Sequence, residues 1–382
     1  MTTGRLGARA SMFLATVSAL FVFGYDVSPA QAFEWLTENF IDPEDGAVDV
    51  SKWLDRGGFL PVPIIVTEPA VKNGLGLAGV FVHGNKDDPD VPPNLTGAAA
   101  VATGNDSWLG AAFHQGTYLD NRLKYVGAIA KTSINLDFYG QSTGGGNSLG
   151  YNIDGVFLLN NARYRLGKSE FWAGGRWTYL TSKVGFTGSD RPDGFSGDGV
   201  DVNLSGLGAS LYYDTRDNIF TPSEGVYARA LATRYDEAWG SNYDFSEFGV
   251  SAYYFHSPVE RWDLGLKGEL DWIAGDAPFF AEPFISLRGI PALRYQGEAV
   301  AQTEIEARYS LSDRWSVLGF TGVGLAADRV DDFGSADPEW VYGAGVRYLI
   351  ARELGFRVGL DLARGPEETV VYLQVGHAWQ RD

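Results

Sequence analysis

The feature that most constrains this fold is an alternation of residue types between Arg261 and Trp272. Side chains of a β-strand point to opposite faces in turn, so one face of this segment is apolar and the other is charged. Trp262 and Trp272 end the apolar face and are ten residues apart. In a strand tilted by about 40° this separation is roughly 25 Å, the height of the apolar band on an outer-membrane barrel. A soluble sheet can also alternate, but it does not need a tryptophan at each end of one face.

The same alternation recurs in three later segments, residues 298–309, 356–362 and 371–379. A lipid bilayer offers no hydrogen-bond partner to exposed backbone groups, so strands that cross it must close into a ring. The sequence therefore predicts an all-β fold, a single transmembrane antiparallel β-barrel.

Composition agrees with this class. The chain contains 49 glycines, 14% aromatic residues and no cysteine, and its mean hydropathy is -0.12. It is too polar for a helical membrane protein, yet rich in the aromatic residues that anchor barrels at membrane interfaces. A net charge of -18 argues against nucleic-acid binding. The absence of cysteine excludes a disulfide framework and a cysteine-ligated metal.

Residues 1–32 have the form of a secretory signal peptide. Arg5 and Arg9 precede an apolar run from Met12 to Phe23, and Ala-Gln-Ala at the end of the segment matches a signal-peptidase site. A retained membrane helix is the alternative, but the run is short and polar residues interrupt it. No later apolar stretch reaches the roughly eighteen residues of a transmembrane helix. We therefore expect residues 1–32 to be removed and the chain to reach the bacterial outer membrane.

Residues 33–60 differ from the rest and predict a short helical segment, either periplasmic or inside the lumen. Asp49 can cap a helix that contains Trp53 and Leu54. The segment also carries a group of acidic residues, namely Asp42, Glu44, Asp45 and Asp49. These can coordinate calcium, but they lack the regular spacing and final glutamate of a calcium loop, so turn formation and helix capping are the favoured roles.

From residue 61 to residue 382 strand and turn signals alternate, and they predict about sixteen strands in one barrel. An even number places both ends of the barrel sequence on the periplasmic side. Pro61 and Pro63 cannot donate backbone hydrogen bonds, so the first strand, residues 62–68, is expected to pair weakly. We predict a seam between it and the last strand, residues 370–379. The predicted seam residues are Pro61, Pro63, Ile65, Val375 and Trp379.

The connection between the eleventh and twelfth strands, residues 276–297, is longer than ordinary loops, and such loops are usually functional or disordered. It carries Arg288. The barrel interior offers Glu304, Glu306 and Asp361 within reach of this arginine. We therefore expect the loop to fold inward and to be held there by an ion pair.

Three motifs follow one another in the second half of the chain. The first is a turn, DTRDN followed by TPSEG, whose characteristic residues are Asp214, Arg216, Asp217, Asn218, Pro222 and Gly225. The second is LRGI at residues 287–290, followed by YQG and then by Glu306. The third is GAGVR at residues 343–347, followed by Gly-Leu-Asp ending at Asp361.

In this order and spacing the motifs resemble the BamA/TamA family of outer-membrane assembly barrels, also called the bacterial surface antigen domain. The resemblance covers residues 61–382. It implies a sixteen-stranded barrel, a periplasmic turn at the first motif, a sixth extracellular loop tucked into the lumen, and a lateral opening between the first and last strands. Family members that assemble proteins also carry periplasmic POTRA modules. Only residues 33–60 precede this barrel, so we expect a member that lacks them.

The resemblance also implies a loop clasp, in which the loop arginine pairs with an acid of the next strand. Carried over to this chain, the clasp consists of Arg288, Gly289 and Glu306. Gly322 stands where the family has a second acid. Glu306 therefore carries more of the pairing, or Asp361 substitutes for the missing acid.

Three functions remain open from the sequence. The barrel is an insertase or translocation platform for a protein or lipid client, a structural envelope barrel that binds a partner, or a small passive channel that favours cations. The expected partners are outer-membrane lipids and an envelope protein client or partner barrel, with no nucleic acid, small-molecule substrate, cofactor or metal. The four histidines have no catalytic or metal spacing. Glu304 and Glu306 can suggest glycoside hydrolysis, but lumen solvation or the loop clasp accounts for them better, so we expect no enzyme.

Overall fold

The computed structural model describes residues 34, 37–55, 58–83, 93–138, 149–186 and 199–379. The predicted signal peptide lies outside these residues. The chain divides into two units, Met1–Val48 and Asp49–Asp382. The strands of the second unit are β1 (Gly58–Val66), β2 (Gly74–His83), β3 (Asn94–Thr103), β4 (Trp108–Tyr118), β5 (Leu123–Phe138), β6 (Leu149–Arg165), β7 (Phe171–Phe186), β8 (Val200–Asp214), β9 (Gly225–Tyr235), β10 (Phe245–Val259), β11 (Trp262–Gly275), β12 (Ala299–Ser310), β13 (Trp315–Ala327), β14 (Glu339–Ala351), β15 (Phe356–Arg364) and β16 (Thr369–Val375).

Helical structure in this unit is limited to short pieces. One α-helix, α1 (Ser51–Asp55), precedes β1, and the connections contain the single 3-10 turns Pro69–Val71, Glu237–Trp239, Phe279–Ala281 and Val330–Asp332. Within the described ranges, no helix is long and apolar enough to cross a membrane.

The sixteen strands form one antiparallel sheet in chain order, from β1 to β16. Each strand pairs with the next, and the sheet curls into a nearly closed barrel. This arrangement confirms the predicted all-β barrel and its strand count. We call the end at which β1 begins the lower end and the opposite end the upper end. Odd-numbered strands therefore run upward and even-numbered strands run downward.

The outward face carries aromatic side chains at two levels. Near the lower end, Trp262 packs on Tyr309 at 5.0 Å and Trp315 packs on Tyr348 at 4.8 Å between ring centroids. Near the upper end, Trp272 stacks on its cross-strand partner Phe248 at 5.1 Å. Apolar side chains such as Leu264, Leu266 and Ile305 occupy the outward positions between these levels. Such a band between two aromatic levels is the pattern of a barrel surrounded by lipid.

The lumen is filled rather than open at its upper end. Tyr151, Val184, Val202, Leu204, Tyr235 and Phe245 form a buried cluster on the inner wall. Phe279 of the β11–β12 loop packs against Tyr151 at 5.0 Å and against Phe138 at 4.8 Å. The loop therefore enters the barrel and buries its own apolar side chains there.

The first and last strands differ from their predicted bounds. β1 begins at Gly58 instead of residue 62, because it pairs with β2 continuously from Gly58 opposite Val82 to Val66 opposite Gly74. Pro61 and Pro63 lie within this ladder. An edge strand tolerates them because only one of its sides needs a full set of donors.

At the other edge, β16 ends at Val375 instead of residue 379. Gly376 has a φ of 77°, a left-handed conformation that turns the chain out of the strand. Trp379 is 4% exposed and lies inside the barrel. Its placement on the seam was therefore wrong, because the outward alternation of the strand stops at the glycine.

In the first unit, a turn closes between Ile41 and Val48, which form an isolated bridge. Asp42 Oδ1 accepts the N–H of Glu44, and Asp45 Oδ1 accepts the N–H of Ala47, each at 2.9 Å. Both carboxylates therefore serve the turn. Among the described residues, no group of three or more acidic, histidine or cysteine side chains is arranged to hold a metal ion.

The second unit begins with Asp49, which caps α1 and anchors it. Asp49 Oδ1 accepts the N–H of Ser51 at 2.7 Å, and Oδ2 pairs with Arg314 Nη1 at 2.5 Å and accepts the N–H of Arg352 at 3.0 Å. Burial tends to raise the pKa of Asp49, but hydrogen bonds from Ser51 and Arg314 outweigh it and lower the pKa to about 2. The carboxylate thus stabilises the fold at pH values above its ordinary pKa, and this contribution is lost as the pH falls towards 2.

Replacement of Asp49 by Asn should loosen α1 from the lower end of the barrel. Asparagine keeps an oxygen for the helix cap but loses the ion pair with Arg314. Hydrogen bonds to charged groups contribute about 1.5 to 3 kcal/mol, so we expect trypsin to cut after Lys52 about tenfold faster. Asp45→Asn, which removes a carboxylate from the turn of the first unit, is the control. Equal cleavage rates at Lys52 in both variants would contradict the anchoring role.

Candidate functional site

The β11–β12 loop carries Arg288 into the lumen, where the aliphatic residues on either side of it are buried. Ile285, Leu287 and Ile290 are each at most 3% exposed and pack against the inner wall. The loop backbone is fixed from both sides, since Ile285 N–H donates to Tyr295 O at 3.0 Å and Ser286 N–H donates to Gln302 Oε1 at 2.9 Å. Burial of these aliphatic side chains therefore holds the loop in place around its single buried cation.

Arg288 contacts three carboxylates at once. Its Nη2 lies 2.5 Å from Glu304 Oε1 and 2.7 Å from Glu306 Oε2, and its Nη1 lies 2.7 Å from Asp361 Oδ2. The guanidinium also lies over the ring of Phe320, 3.5 Å from its centroid. Such a planar cation can satisfy several carboxylates and stack on an aromatic face simultaneously, which lysine cannot do.

A second arginine completes this cluster from below the loop. Arg347 Nη1 and Nη2 donate to the two oxygens of Asp361 at 2.5 and 2.9 Å, so Asp361 is held between two guanidinium groups. We call these residues the Arg288 cluster: Arg288, Arg347, Glu304, Glu306, Asp361 and Phe320. Its charged side chains are all at most 7% exposed. Three carboxylates and two guanidinium groups leave a formal charge of about -1, so the cluster is close to internally neutral.

Arg288 contacts Glu306 and Asp361, the two acids that the sequence predicted as its partners in the clasp. Glu304, which was expected only to lie within reach of the loop, contacts Arg288 as well. Glu304 lies directly opposite Gly322 in the β12–β13 ladder. A Cβ at Gly322 would lie 3.3 Å from Glu304 Cβ and 2.8 Å from Thr303 O. The glycine therefore leaves room for the acid on the neighbouring strand. Both Glu304 and Glu306 are engaged by Arg288, so neither is arranged like a free acid of a glycosidase pair.

Gly289 allows the loop to pass close to the last connection. Its φ is 96°, and a Cβ there would lie 2.8 Å from the backbone nitrogen of Gly365. Its N–H donates to the hydroxyl of Tyr372 on β16 at 3.0 Å. Three residues further on, Ala292 N–H donates to Glu68 Oε1, just after β1, at 2.9 Å. The loop thus contacts both edges of the seam at its upper end, a feature that the sequence did not reveal.

The turn motif between β8 and β9 is built around Asp217. Its carboxylate accepts the N–H groups of Asn218 and Ser223 at 2.9 Å and of Glu224 at 3.1 Å. Burial tends to raise the pKa of Asp217, but hydrogen bonds from Ser223, Glu224 and Asn218 outweigh it and hold the pKa below its usual value. The Asp217 side chain is therefore ionised and holds the turn together through these backbone N–H groups.

The other motif residues shape the same turn. Asp214 pairs with Arg216 at 2.8 Å, and Arg216 lies over the ring of Tyr227. Gly225 has a φ of 107°, and a Cβ there would lie 2.3 Å from Thr215 O, so only glycine fits where the turn meets β9. Pro222 lies within the turn, between Asn218 and Gly225.

Asn218 ties this turn to a distant one. Its Oδ1 accepts the N–H groups of Phe220 and Thr221 at 2.7 and 3.0 Å. Its Nδ2 donates to Leu354 O, in the β14–β15 turn, at 2.8 Å. The motif thus fixes the geometry of one turn and its contact with another.

The remaining predicted seam residues lie on the outward face of the two edge strands. Ile65 is 50% exposed and Val375 is 54% exposed. Ile65 lies near the upper end of β1 and Val375 at the lower end of β16, because the two strands run in opposite directions. Thr369 and Val371 lie at the upper end of β16.

Trp379 belongs to the lumen rather than to the seam. Its Nε1–H donates to Glu304 Oε1 at 2.5 Å, and its ring lies 6.0 Å from Tyr253 and 5.7 Å from Phe255 between centroids. His377 Nε2 lies 3.6 Å from Glu306 Oε1. The segment that follows β16 therefore reaches the Arg288 cluster from the lower side. Gly376 was the one signal in the sequence that could have marked this departure from the strand.

Solved barrels share this architecture at low sequence identity. BamA from Haemophilus ducreyi lacking POTRA domains 1–3 matches with a TM-score of 0.58 and 11% identity, over 83% of this chain and 69% of that chain. CdiB from Escherichia coli matches with a TM-score of 0.56 and 13% identity, over 82% of this chain and 61% of that chain. CdiB from Acinetobacter baumannii matches with a TM-score of 0.55 and 10% identity, over 83% of this chain and 59% of that chain.

This chain therefore spans less than two thirds of the length of the two CdiB chains. The sequence itself matches no protein-family model and no curated protein. The structural likeness shows that the chain has the barrel fold of BamA and CdiB.

Proposed function

We propose that this chain is a bacterial outer-membrane barrel that inserts or translocates a protein or lipid client through the seam between β1 and β16. Its lower end then faces the periplasm, and its apolar outward face meets the outer-membrane lipids. The likeness to the BamA and CdiB barrels and the two outward levels of aromatic side chains support this location.

The seam is the observation that carries this proposal. Fifteen ladders join β1 to β16 in chain order, and across the described residues no ladder joins β16 back to β1. β16 has only seven residues. β1 contains Pro61 and Pro63, each of which lacks a backbone donor worth about 0.5 to 1.5 kcal/mol net. Two such edges can separate at low cost and can pair with an incoming strand.

The lumen supports the same choice of route. A passive channel needs an open path from one end to the other, but the β11–β12 loop and the Arg288 cluster occupy the upper and central lumen. The segment after β16 occupies the lower part. These contacts favour the seam, rather than the lumen, as the route for a client.

A disulfide across the seam tests the proposal. Ile65→Cys and Val371→Cys place thiols on the outward faces of the two edge strands near the upper end, with Thr369 and Leu373 as alternatives for the register. The natural chain has no cysteine. We expect vesicles that carry the reduced barrel to speed the folding of an added unfolded β-barrel protein, measured as its gain of protease resistance. Oxidation should reduce this rate to that of empty vesicles.

The matched control is a disulfide between Ile65→Cys and Leu75→Cys, which face each other in the β1–β2 ladder. It uses the same position on β1 but leaves the seam free, so oxidation should not change the rate. If the seam disulfide also leaves the rate unchanged, the seam does not open in this process. If the reduced barrel gives no acceleration at all, the structural envelope role takes the place of the proposed one.

A further inference from the structure

A set of contacts at the lower end joins opposite walls of the barrel. Gly376 turns the chain inward after β16, and its N–H donates to Arg357 O at 2.7 Å. The N–H of His377 then donates to Phe220 O, in the β8–β9 turn, at 2.7 Å. β16 and β8 are eight places apart in a sheet of sixteen strands, so they lie on opposite sides of the barrel. This hydrogen bond therefore crosses its lower opening.

The β8–β9 turn makes a second crossing of its own. The hydroxyl of Thr221 donates to Gly355 O, in the β14–β15 turn, next to the bond from Asn218 to Leu354 O. The ring of Phe220 meets Phe356 edge to face, with centroids 5.2 Å apart. The two turns are six strands apart in the sheet. The β8–β9 turn therefore lies across the mouth of the barrel rather than along its rim.

Trp379 fills the space above these crossings. It belongs to a buried aromatic cluster with Trp172, Tyr212, Tyr227, Tyr253 and Phe255, which come from β7, β8, β9 and β10. On its other side it donates to Glu304 of the Arg288 cluster. A Cβ at Gly265 would lie only 2.8 Å from the Trp379 ring, so the indole is seated directly against β11. The indole of Trp379 thus fills the space between this aromatic cluster and the Arg288 cluster.

We infer that residues 376–379 and the β8–β9 turn, residues 215–224, form a plug that seals the lumen at its lower end. Ions can then pass only after the plug is displaced. The inference concerns passage through the lumen, whereas the proposed function concerns opening of the wall at the seam. It is independent of any client.

Conductance in planar bilayers tests the plug. The β11–β12 loop also fills the upper lumen, so every variant carries Arg288→Ala, which releases that loop. In this background the barrel with an intact plug should stay closed, while Trp379→Ala combined with Asn218→Ala should raise the open fraction by about tenfold or more, since a buried ring and a hydrogen bond between turns are removed. Trp379→Phe should give a smaller rise, because it keeps an aromatic ring but loses the bond to Glu304. Heat-modified gel mobility checks that each variant is folded. If Trp379→Ala does not fold, Asn218→Ala and Trp379→Phe decide the question.

Trp315→Ala is the control, since it truncates an outward tryptophan at the same end of the barrel and should leave the conductance unchanged. The rise should also persist when the seam is locked by the disulfide between Ile65→Cys and Val371→Cys, because the path runs through the lumen. Folded plug variants that conduct no more than the Arg288→Ala barrel overturn the inference. A rise that disappears on locking the seam also overturns it, since the current would then pass through the wall.

Discussion

Arg288→Ala is expected to destabilise the barrel more than any other single side-chain truncation considered for this chain. The substitution leaves Glu304, Glu306 and Asp361 buried together without the guanidinium that contacts all three. Removing one partner from a buried ion pair costs about 3 to 5 kcal/mol, mostly because the other charge stays uncompensated. We expect a marked fall in the temperature at which the gel mobility changes to that of the unfolded chain, and faster trypsin cleavage after Arg294 in the released loop.

Two further variants separate charge from geometry. Arg288→Lys keeps the charge but cannot reach three carboxylates or stack on Phe320, so we expect partial loss. Arg288→Met combined with Glu304→Gln removes a cation and an anion together and should recover part of the stability lost in Arg288→Ala. An Arg288→Ala barrel that unfolds at the temperature of the natural one would contradict a stabilising clasp.

The sequence predicted the barrel because a strand repeats its pattern every two residues. Alternation in residues 261–272 is enough to assign an inward and an outward face, and the length between two tryptophans sets the height of the apolar band. The number of strands follows from counting such segments. These features are local, so they can be read without knowing which residues meet in space.

The site depended on contacts that alternation does not encode. The sequence identified Arg288 and its candidate acids from loop length and from a family resemblance, but it could not show that Glu304, opposite Gly322, contacts Arg288 as well. That contact depends on which residue faces which across the β12–β13 ladder. Trp379 was misplaced for a similar reason. An aromatic residue four positions after an outward-facing valine fits the strand alternation, and only the left-handed turn at Gly376 takes it into the lumen.

The seam residues show the same limit. Pro61 and Pro63 point to a weak edge through a local property of β1, since each proline lacks a donor wherever it lies. Ile65 and Val375 share the outward face, but their heights depend on the direction of the two edge strands. With sixteen antiparallel strands, Ile65 lies near the upper end of β1 and Val375 at the lower end of β16.

Gly345→Ala should disrupt the Arg288 cluster without changing any charged residue. Gly345 lies opposite Asp361 in the β14–β15 ladder, and a Cβ there would lie 1.9 Å from Asp361 Oδ1 and 3.0 Å from Arg347 Nη1. The methyl group must therefore displace the carboxylate from the two guanidinium groups that hold it. Overpacking costs about 1 to 3 kcal/mol, and separation of the buried charges adds to it, so we expect a loss of about 3 kcal/mol or more.

The measurement is again the temperature of the gel-mobility change, with Gly268→Ala as the control. Gly268 is also a strand glycine, but a Cβ there meets nothing within 4 Å, so its replacement should leave the transition near that of the natural chain. Adding Asp361→Asn to Gly345→Ala should lower the stability by much less than Asp361→Asn does in the natural chain, because the first change has already broken the same contacts. Full additivity of the two changes would mean that Gly345 acts on the strand itself and not through Asp361.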